Sequence, residues 1–183
     1  HGKGLAHQLD AFEAAKTLEA DIAYIDPPYN QHSYLGNYHI WETLVRWDKP
    51  EVYGVACKRV DVRERKSVFN SRTHFAQVMK ELLATVRAEV LIVSFNNEGY
   101  LGREEMEGIL RGLWGGEATV TTIENAFKRY VGAQIGIYNP KGEKVGKISH
   151  LSNKEYIYVA SRRNLAQALE PLRQKGEQLG LFS

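Results

Sequence analysis

The sequence has little cysteine, no long apolar run and no strong excess of either charge. Its single cysteine, Cys57, excludes an intrachain disulfide, and a reducing compartment is therefore the natural expectation. No apolar run approaches the roughly 18 residues that a membrane span needs, and no signal-peptide pattern opens the chain. The 24 basic and 22 acidic residues nearly balance, so the overall charge does not by itself require a nucleic-acid partner. We therefore expect a soluble, cytoplasmic protein.

The 183 residues, 43% of them hydrophobic, are enough for one α/β domain with a buried core. Residues 21–26 and 88–94 are apolar on both faces, as in the buried strands of a parallel sheet. Further spacing and composition predict helices over 39–46, 73–87 and 104–113, and strands over 118–124 and 155–160. The order predicts a partly parallel sheet with an antiparallel C-terminal hairpin at its edge. The rest of 30–72 is expected to be a mobile loop, and 164–183 a loosely packed polar helix or tail.

The segment Asp26-Pro27-Pro28-Tyr29 follows the first predicted strand, at the end where open α/β sheets bind ligands. Two prolines in succession end the strand and hold the turn rigid. A carboxylate and a backbone carbonyl held there could accept both hydrogens of an exocyclic amine and so localise the nitrogen lone pair. The tyrosine ring could stack on a base, which must first be flipped out of a duplex. Four residues alone do not separate this site from a simple strand-terminating turn.

More blocks of sequence extend the motif in a fixed order. They comprise residues 21–30, Tyr34, 37–39, 47–50, 66–70, 93–99, 128–130 and 153–159. Over roughly residues 8 to 160, these blocks resemble the D12 class of adenine-specific DNA methyltransferases, and within it the modification enzymes of FokI-like restriction systems. The resemblance implies a Rossmann-like methyltransferase sheet and methyl transfer from S-adenosylmethionine to the N6 amine of a flipped adenine in double-stranded DNA.

The resemblance also implies roles for particular residues. The target amine and ring would be held by the turn Asp26, Pro27, Pro28 and Tyr29, with Asn30 and Tyr34 lining the same pocket. Ser94, Asn96 and Asn97, at the end of the neighbouring strand, would shape the wall around the base, unless they only cap the next helix. Asp10 would contact the adenine of the cofactor, the alternative being an ordinary loop or helix-cap aspartate.

Six basic residues against two acidic ones between 58 and 72 favour contacts with the DNA backbone, the alternative being a solvated loop. The six are Lys58, Arg59, Arg63, Arg65, Lys66 and Arg72. Lys128, Arg129 and Tyr130 follow a strand-like segment and could grip the flipped nucleotide, although Tyr130 could instead belong to the core. Trp41 has helical spacing with Leu44 and Val45, which favours packing over base stacking.

The glycine-rich turn on which this family builds its cofactor site is not found. Gly2 and Gly4 follow no strand, and Gly115-Gly116 comes after a helix. The first residue is His1, so we expect that the first half of the fold was cleaved, omitted or supplied by another chain, the alternative being that this chain is a remnant. Residues 1–163 would then be the catalytic half, with an exposed sheet edge where the other half docks.

Two rival functions stay open from the sequence. One is methylation of the exocyclic amine of an RNA base, which uses similar turns. The other is a catalytically silent DNA-binding subunit that keeps the pocket.

Overall fold

The computed structural model describes residues 2–128 and 152–179. The helices are α1 (Ala11–Thr17), α2 (Tyr34–Asn37), α3 (His39–Arg46), α4 (Phe75–Thr85), α5 (Arg103–Arg111) and α6 (Ala166–Leu179). The strands are β1 (Glu19–Ile25), β2 (Val52–Tyr53), β3 (Lys58–Arg59), β4 (Arg87–Asn96), β5 (Thr119–Lys128) and β6 (Ser152–Ser161). Short 3-10 turns cover Val60–Arg63, Val68–Asn70 and Leu113–Gly116.

The main sheet has the strand order β1-β4-β6-β5. Strand β1 pairs with β4 in parallel, whereas β4 with β6 and β6 with β5 are antiparallel pairs. A parallel first pair was expected because a predicted helix separates the two apolar runs. Parallel strands need such a crossover connection, of about a dozen residues or more. The predicted partly parallel sheet with an antiparallel hairpin at one edge is confirmed.

The core lies on one face of the sheet. Strand β4 alternates, so that Leu91, Val93 and Phe95 are fully buried against α4 and α5. Helix α4 contributes Phe75, whose ring contacts Phe95, and Met79, both without exposed surface. This packing fixes the carboxyl ends of β1 and β4 relative to each other.

Strand β1 is an edge strand within the described part of the chain. Its Ala23 and Ile25 pack on the core, whereas Ile22 and Tyr24, on the opposite face, are 58% and 61% exposed. An apolar strand with one unpaired edge and an uncovered face is suited to further pairing. No helix within residues 2–128 and 152–179 is long and apolar enough to span a membrane.

Residues 30–72 form a folded insertion. The helix predicted over 39–46 is confirmed, and further short elements lie in the part that was expected to be a mobile loop. Helices α2 and α3 and the small antiparallel β2–β3 pair occupy the insertion. Most of the hydrophobic side chains of α3 point outward, and its polar side chains contact the remainder of the insertion. The face that apolar spacing predicted to be packed is therefore the exposed one. The insertion joins the Asp26 turn to α4.

The aromatic contacts of Phe75 predict a large stability cost when its ring is removed. Phe75→Ala leaves a cavity beneath Phe95 and Tyr100, and we expect it to lower the free energy of unfolding by about 3–5 kcal/mol. Val45→Ala, at a side chain that is 84% exposed, should change it by less than about 0.5 kcal/mol. Urea unfolding followed by circular dichroism measures both, and equal effects would contradict this assignment of the core.

Candidate active site

The turn that follows β1 places a free carboxylate beside a rigid backbone. Asp26 is exposed, Pro27 is buried and Pro28 is half-buried. Within the ranges that the structure describes, the Asp26 carboxylate has no hydrogen bond or ion pair. Both of its oxygens are therefore available to accept hydrogen bonds from a ligand.

A cavity of about 800 Å³ opens at this turn, a size suited to a nucleoside-like ligand. It is bounded by α1, by β1 and the turn, and by the segment that precedes α4. Of the residues that the sequence proposed, it is lined by Asp10, Asp26, Pro27, Pro28, Tyr34, Arg65 and Lys66. The structure thus brings together Asp26 and its two prolines, one tyrosine and two cations that lie about 40 residues further along the chain, whereas Tyr29 and Asn30 do not line the cavity.

Two phenols beside Asp26 are held in their neutral form. Burial raises the pKa of Tyr29, and the negative charges of Asp26, Glu155 and Glu98 raise it further. Burial and the charge of Asp26 likewise raise the pKa of Tyr34. Both hydroxyls can therefore act as hydrogen-bond donors near the carboxylate.

The ring of Tyr29 is fixed by an edge contact with Phe95, with ring centroids 5.6 Å apart. Gly99 has to be glycine here, because a Cβ atom would overlap the Phe95 ring. The close approach that this allows brings the backbone N–H of Tyr100 to 2.9 Å from the carbonyl oxygen of Tyr29. The loop after β4 thereby holds the turn at Asp26–Tyr29.

Asn70 holds the same turn from the other side, and sequence reasoning gave it no role. Its Nδ2 donates to the carbonyl oxygens of Asn30 at 2.8 Å and His32 at 3.3 Å. The Tyr100 hydroxyl donates to the carbonyl oxygen of Asn70 at 3.2 Å. Asn70 lies in one of the blocks that carry the family resemblance, whereas nothing in the sequence marked Tyr100.

The three polar residues expected in the wall of the pocket are engaged with neighbouring backbone and side chains. Ser94 is buried and donates to Glu155 at 3.4 Å. The Asn96 side chain accepts from the N–H of Glu98, and the Asn97 side chain accepts from the N–H of Lys154, both at 2.9 Å. They fix the turn between β4 and α5 and its contact with β6, and their contact with a base stays a prediction.

The remaining predicted contacts fall in different places. Asp10 caps α1 by accepting from the N–H of Phe12 at 2.9 Å, so its carboxylate has a structural use even though it faces the cavity. Lys128 ends β5. Its side chain, Arg129 and Tyr130 lie outside the described residues.

Arg59 is the centre of an ion cluster in the insertion. Its side chain is 3% exposed and forms paired hydrogen bonds with both oxygens of Asp48, at 2.6 and 2.9 Å, and both of Asp61, at 3.1 Å. The guanidinium nitrogens of Arg59 all donate hydrogen bonds within the insertion, so Arg59 is not free to make the phosphate contact that was expected of it. The hydrogen bonds from Arg59 are the main reason that the pKa values of Asp48 and Asp61 lie below their ordinary value.

The other basic residues of the insertion differ in their surroundings. Arg65 pairs with Glu42 at 3.0 Å and Arg63 lies over the ring of Tyr53, 3.7 Å from its centroid. Lys66 and Arg72 are exposed, and Lys58 is half-buried. Lys66 and Arg65 are the two that also line the cavity.

Helix α3 turns its aromatic and aliphatic side chains to solvent. Trp41, for which spacing favoured packing, is 64% exposed, and Ile40, Leu44 and Trp47 are exposed as well. The ring of Tyr38 stacks on that of Tyr34, with centroids 6.2 Å apart, which links this surface to the edge of the cavity.

The cavity, as the described residues line it, lacks the glycine turn that was sought in the sequence. No glycine lines it, and a Cβ added to Gly2 or Gly4 would meet nothing within 4 Å, so neither glycine forms a close backbone cradle. A carboxylate, a rigid carbonyl and tyrosine rings are present for an amine on an aromatic ring. The described residues therefore do not by themselves provide the glycine turn of a cofactor site.

Comparison with known proteins identifies the family. The model of the D12 class N6 adenine-specific DNA methyltransferases matches residues 1–97, and the chain belongs to this family. It is 35% identical over 111 residues to the Type II methyltransferase M.FokI of Planomicrobium okeanokoites, covering 61% of this chain and 17% of that protein. It is 34% identical over 106 residues to the modification methylase StsI of Streptococcus sanguinis, covering 58% of this chain and 16% of that protein.

A longer match is to the Type II methyltransferase M.NlaIII of Neisseria lactamica, 24% identical over 154 residues, 84% of this chain and 41% of that protein. The chain thus spans about a sixth of the length of M.FokI and StsI. No solved structure matches. The mixed α/β sheet with one parallel pair is consistent with a methyltransferase fold.

The ion cluster predicts a defined loss of stability in acid. Because the pKa values of Asp48 and Asp61 are lowered by folding, their stabilisation is complete above the ordinary aspartate value of 3.8 and is lost as the pH falls through the lower folded values. Asp48→Asn should therefore lower the Tm at pH 7, and the difference from the unmutated chain should shrink below about pH 4.

Thermal unfolding from pH 7 to pH 2.5 measures this difference. Glu170→Gln, which removes an exposed pair with Arg173, is the control and should leave the Tm nearly unchanged at pH 7. A Tm difference for Asp48→Asn that stays constant over the whole range would contradict the assignment.

Proposed function

We propose that this chain forms the target-adenine site of an enzyme that transfers a methyl group from S-adenosylmethionine to the N6 amine of adenine in double-stranded DNA. The observation that carries the proposal is the unpartnered Asp26 carboxylate beside the Pro27 carbonyl, at the carboxyl end of β1 and at the mouth of the cavity. Family membership supports the reaction. The relatives, a Type II methyltransferase and a modification methylase, support a role as the modification arm of a restriction–modification system.

The chemical problem is that the adenine amine shares its lone pair with the ring and is a weak nucleophile. Hydrogen bonds from its two N–H groups to Asp26 and to the Pro27 carbonyl concentrate the lone pair on nitrogen and stabilise positive charge as the methyl group arrives. Asp26 acts mainly as an acceptor, because the amine loses a proton easily only after it carries the methyl group. Tyr29, fixed against Phe95, supplies a stacking surface for the flipped base.

The DNA strand would be held by cations at the mouth of the cavity. Lys66 and Arg65 line the cavity, and Arg72 is exposed close by in sequence. Such contacts give affinity and orientation without reading the sequence. Arg63 and Lys58 can extend the contact, whereas the guanidinium of Arg59 is taken by two carboxylates.

We further propose that more protein structure pairs with the open edge of β1 to complete the site for the methyl donor. The exposed Ile22 and Tyr24 and the absence of a glycine cradle in the described cavity support this. Asp10, which lines the cavity, is the residue of this chain that we expect to contact the donor.

The first prediction of this function concerns Asp26. In cells that produce the protein, Asp26→Ala should lower the N6-methyladenine of genomic DNA at its target sites at least 100-fold, because an acceptor of the transition state is lost. Asp26→Asn, which keeps size and one acceptor oxygen, should retain more activity than Asp26→Ala. Digestion to nucleosides followed by mass spectrometry measures the product.

Asp21→Ala is the matched control, since Asp21 is an exposed carboxylate on the same strand. It should leave the modification intact. Unchanged N6-methyladenine in the Asp26→Ala cells would favour a silent DNA-binding subunit, and methylated adenosine in RNA instead of DNA would favour the RNA enzyme.

A second prediction concerns the methyl donor. Titration calorimetry with this chain alone should give weak or undetectable binding of S-adenosylmethionine, because the described cavity has no glycine cradle. Micromolar affinity of the isolated chain would contradict the proposal that further structure completes the donor site.

A further inference from the structure

The catalytic turn has few means of holding itself in place. Pro27 and Pro28 have no backbone N–H, and residues 26–30 belong to no helix or strand. An aspartate, a carbonyl and a tyrosine ring must nevertheless stay within a fraction of an ångström of their working positions for an amine to be activated. The position of this turn therefore depends on bonds from elsewhere in the fold.

Two such bonds come from residues far apart in the chain. The N–H of Tyr100 donates to the carbonyl of Tyr29, and Nδ2 of Asn70 donates to the carbonyl of Asn30. The Tyr100 hydroxyl then donates to the carbonyl of Asn70 at 3.2 Å, which closes a ring of contacts around the turn. The ring of Tyr100 is itself fixed by an edge contact with the buried Phe75.

We infer that Asn70 and Tyr100 are positioning residues for the methyl transfer, a role that rests on the function proposed above. They set the place of Tyr29 and Asn30, and through them that of the Pro27 carbonyl and Asp26. Asn70 also lines the cavity, but its Nδ2 is bonded to the turn and its Oδ1 is buried, so its role toward the amine is indirect. Tyr100 acts by two routes, directly through its N–H and through its hydroxyl on Asn70.

The oxygen of the Asn70 side chain supports a positional rather than a stabilising role. Oδ1 is buried and has no hydrogen-bond partner within the described residues. A buried acceptor without a partner is a cost to stability, which an apolar side chain of similar size would not carry. Asparagine at this position is thus explained by what its Nδ2 group does for the turn.

The test compares Tyr100→Phe, Asn70→Leu and the double variant in the intact protein. Tyr100→Phe keeps the ring contact with Phe75 and should lower kcat about 3- to 10-fold, as expected for one neutral hydrogen bond. Asn70→Leu removes both side-chain bonds to the turn and should lower kcat about 30- to 100-fold. The KM for duplex DNA should stay within about twofold for both variants, because the phosphate contacts are unchanged.

The double variant separates positioning from general damage. Since the Tyr100 hydroxyl acts through the segment that carries Asn70, its loss should add little to Asn70→Leu, and the two effects should be clearly non-additive. Tyr53→Phe, a tyrosine in the β2–β3 pair, is the control and should keep both kcat and KM. The Tm of Asn70→Leu should fall only slightly, because removal of the unpaired Oδ1 offsets part of the cost of the two lost hydrogen bonds.

Unchanged kcat in Asn70→Leu, a loss confined to KM, or a fall in Tm that parallels the loss of activity would each overturn the inference. If the unmutated protein transfers no methyl group to DNA, the proposed function fails instead. Hydrogen exchange then still tests the positioning: the peptide 29–34 should exchange faster in Asn70→Leu than in Tyr53→Phe, and equal rates would overturn it.

Discussion

The site depends on a strand that must end in two prolines and still present a carbonyl and a carboxylate in fixed positions. The parallel pairing of β1 with β4 delivers Asp26 to the carboxyl edge of the sheet, because the partly buried Ala23 and Ile25 pack on the same core as the buried side chains of β4. Beyond Ile25 the backbone loses its ladder, since Pro27 and Pro28 cannot donate. The turn is consequently anchored through its carbonyl oxygens, the groups that proline leaves available, and the anchors lie on other elements.

The sheet is held by buried side chains and the turn by bonds to its backbone, and this difference explains which parts of the molecule the sequence predicted. The runs at 21–26 and 88–94 and the helical spacing at 73–87 gave β1, β4 and α4, because burial on one or both faces leaves a periodic pattern. The turn at Asp26 followed from its prolines. Asn70 and Tyr100 could not be assigned, since each acts on a backbone atom some 40 or 70 residues distant and bonds to backbone leave no pattern.

In the insertion between β1 and α4, helix α3 turns its polar face toward the protein and its apolar face toward solvent, the reverse of the usual surface helix. Arg59 gathers Asp48 and Asp61 beneath α3, and Thr43 of that helix accepts a further hydrogen bond from Arg59 at 3.2 Å. The buried Arg59, with its four carboxylate contacts, holds the polar side of α3 toward the insertion. The apolar side of α3 therefore faces solvent. Amphipathic spacing predicted the helix but assigned its faces the wrong way round for Trp41, because periodicity gives the stripe and not the side on which the partner lies.

Burial also explains why the sequence could not tell the six basic residues of the insertion apart. A count of charges between 58 and 72 treats six basic residues alike, but burial separates them: Arg59 has four carboxylate oxygens around it, whereas Lys66 reaches the cavity. An exposed cation can exchange bound counterions for a phosphate at little cost, and one already desolvated between two aspartates cannot. Local charge in a sequence thus gives candidate contacts for an anionic partner, and the fold decides which of the charges such a partner could reach.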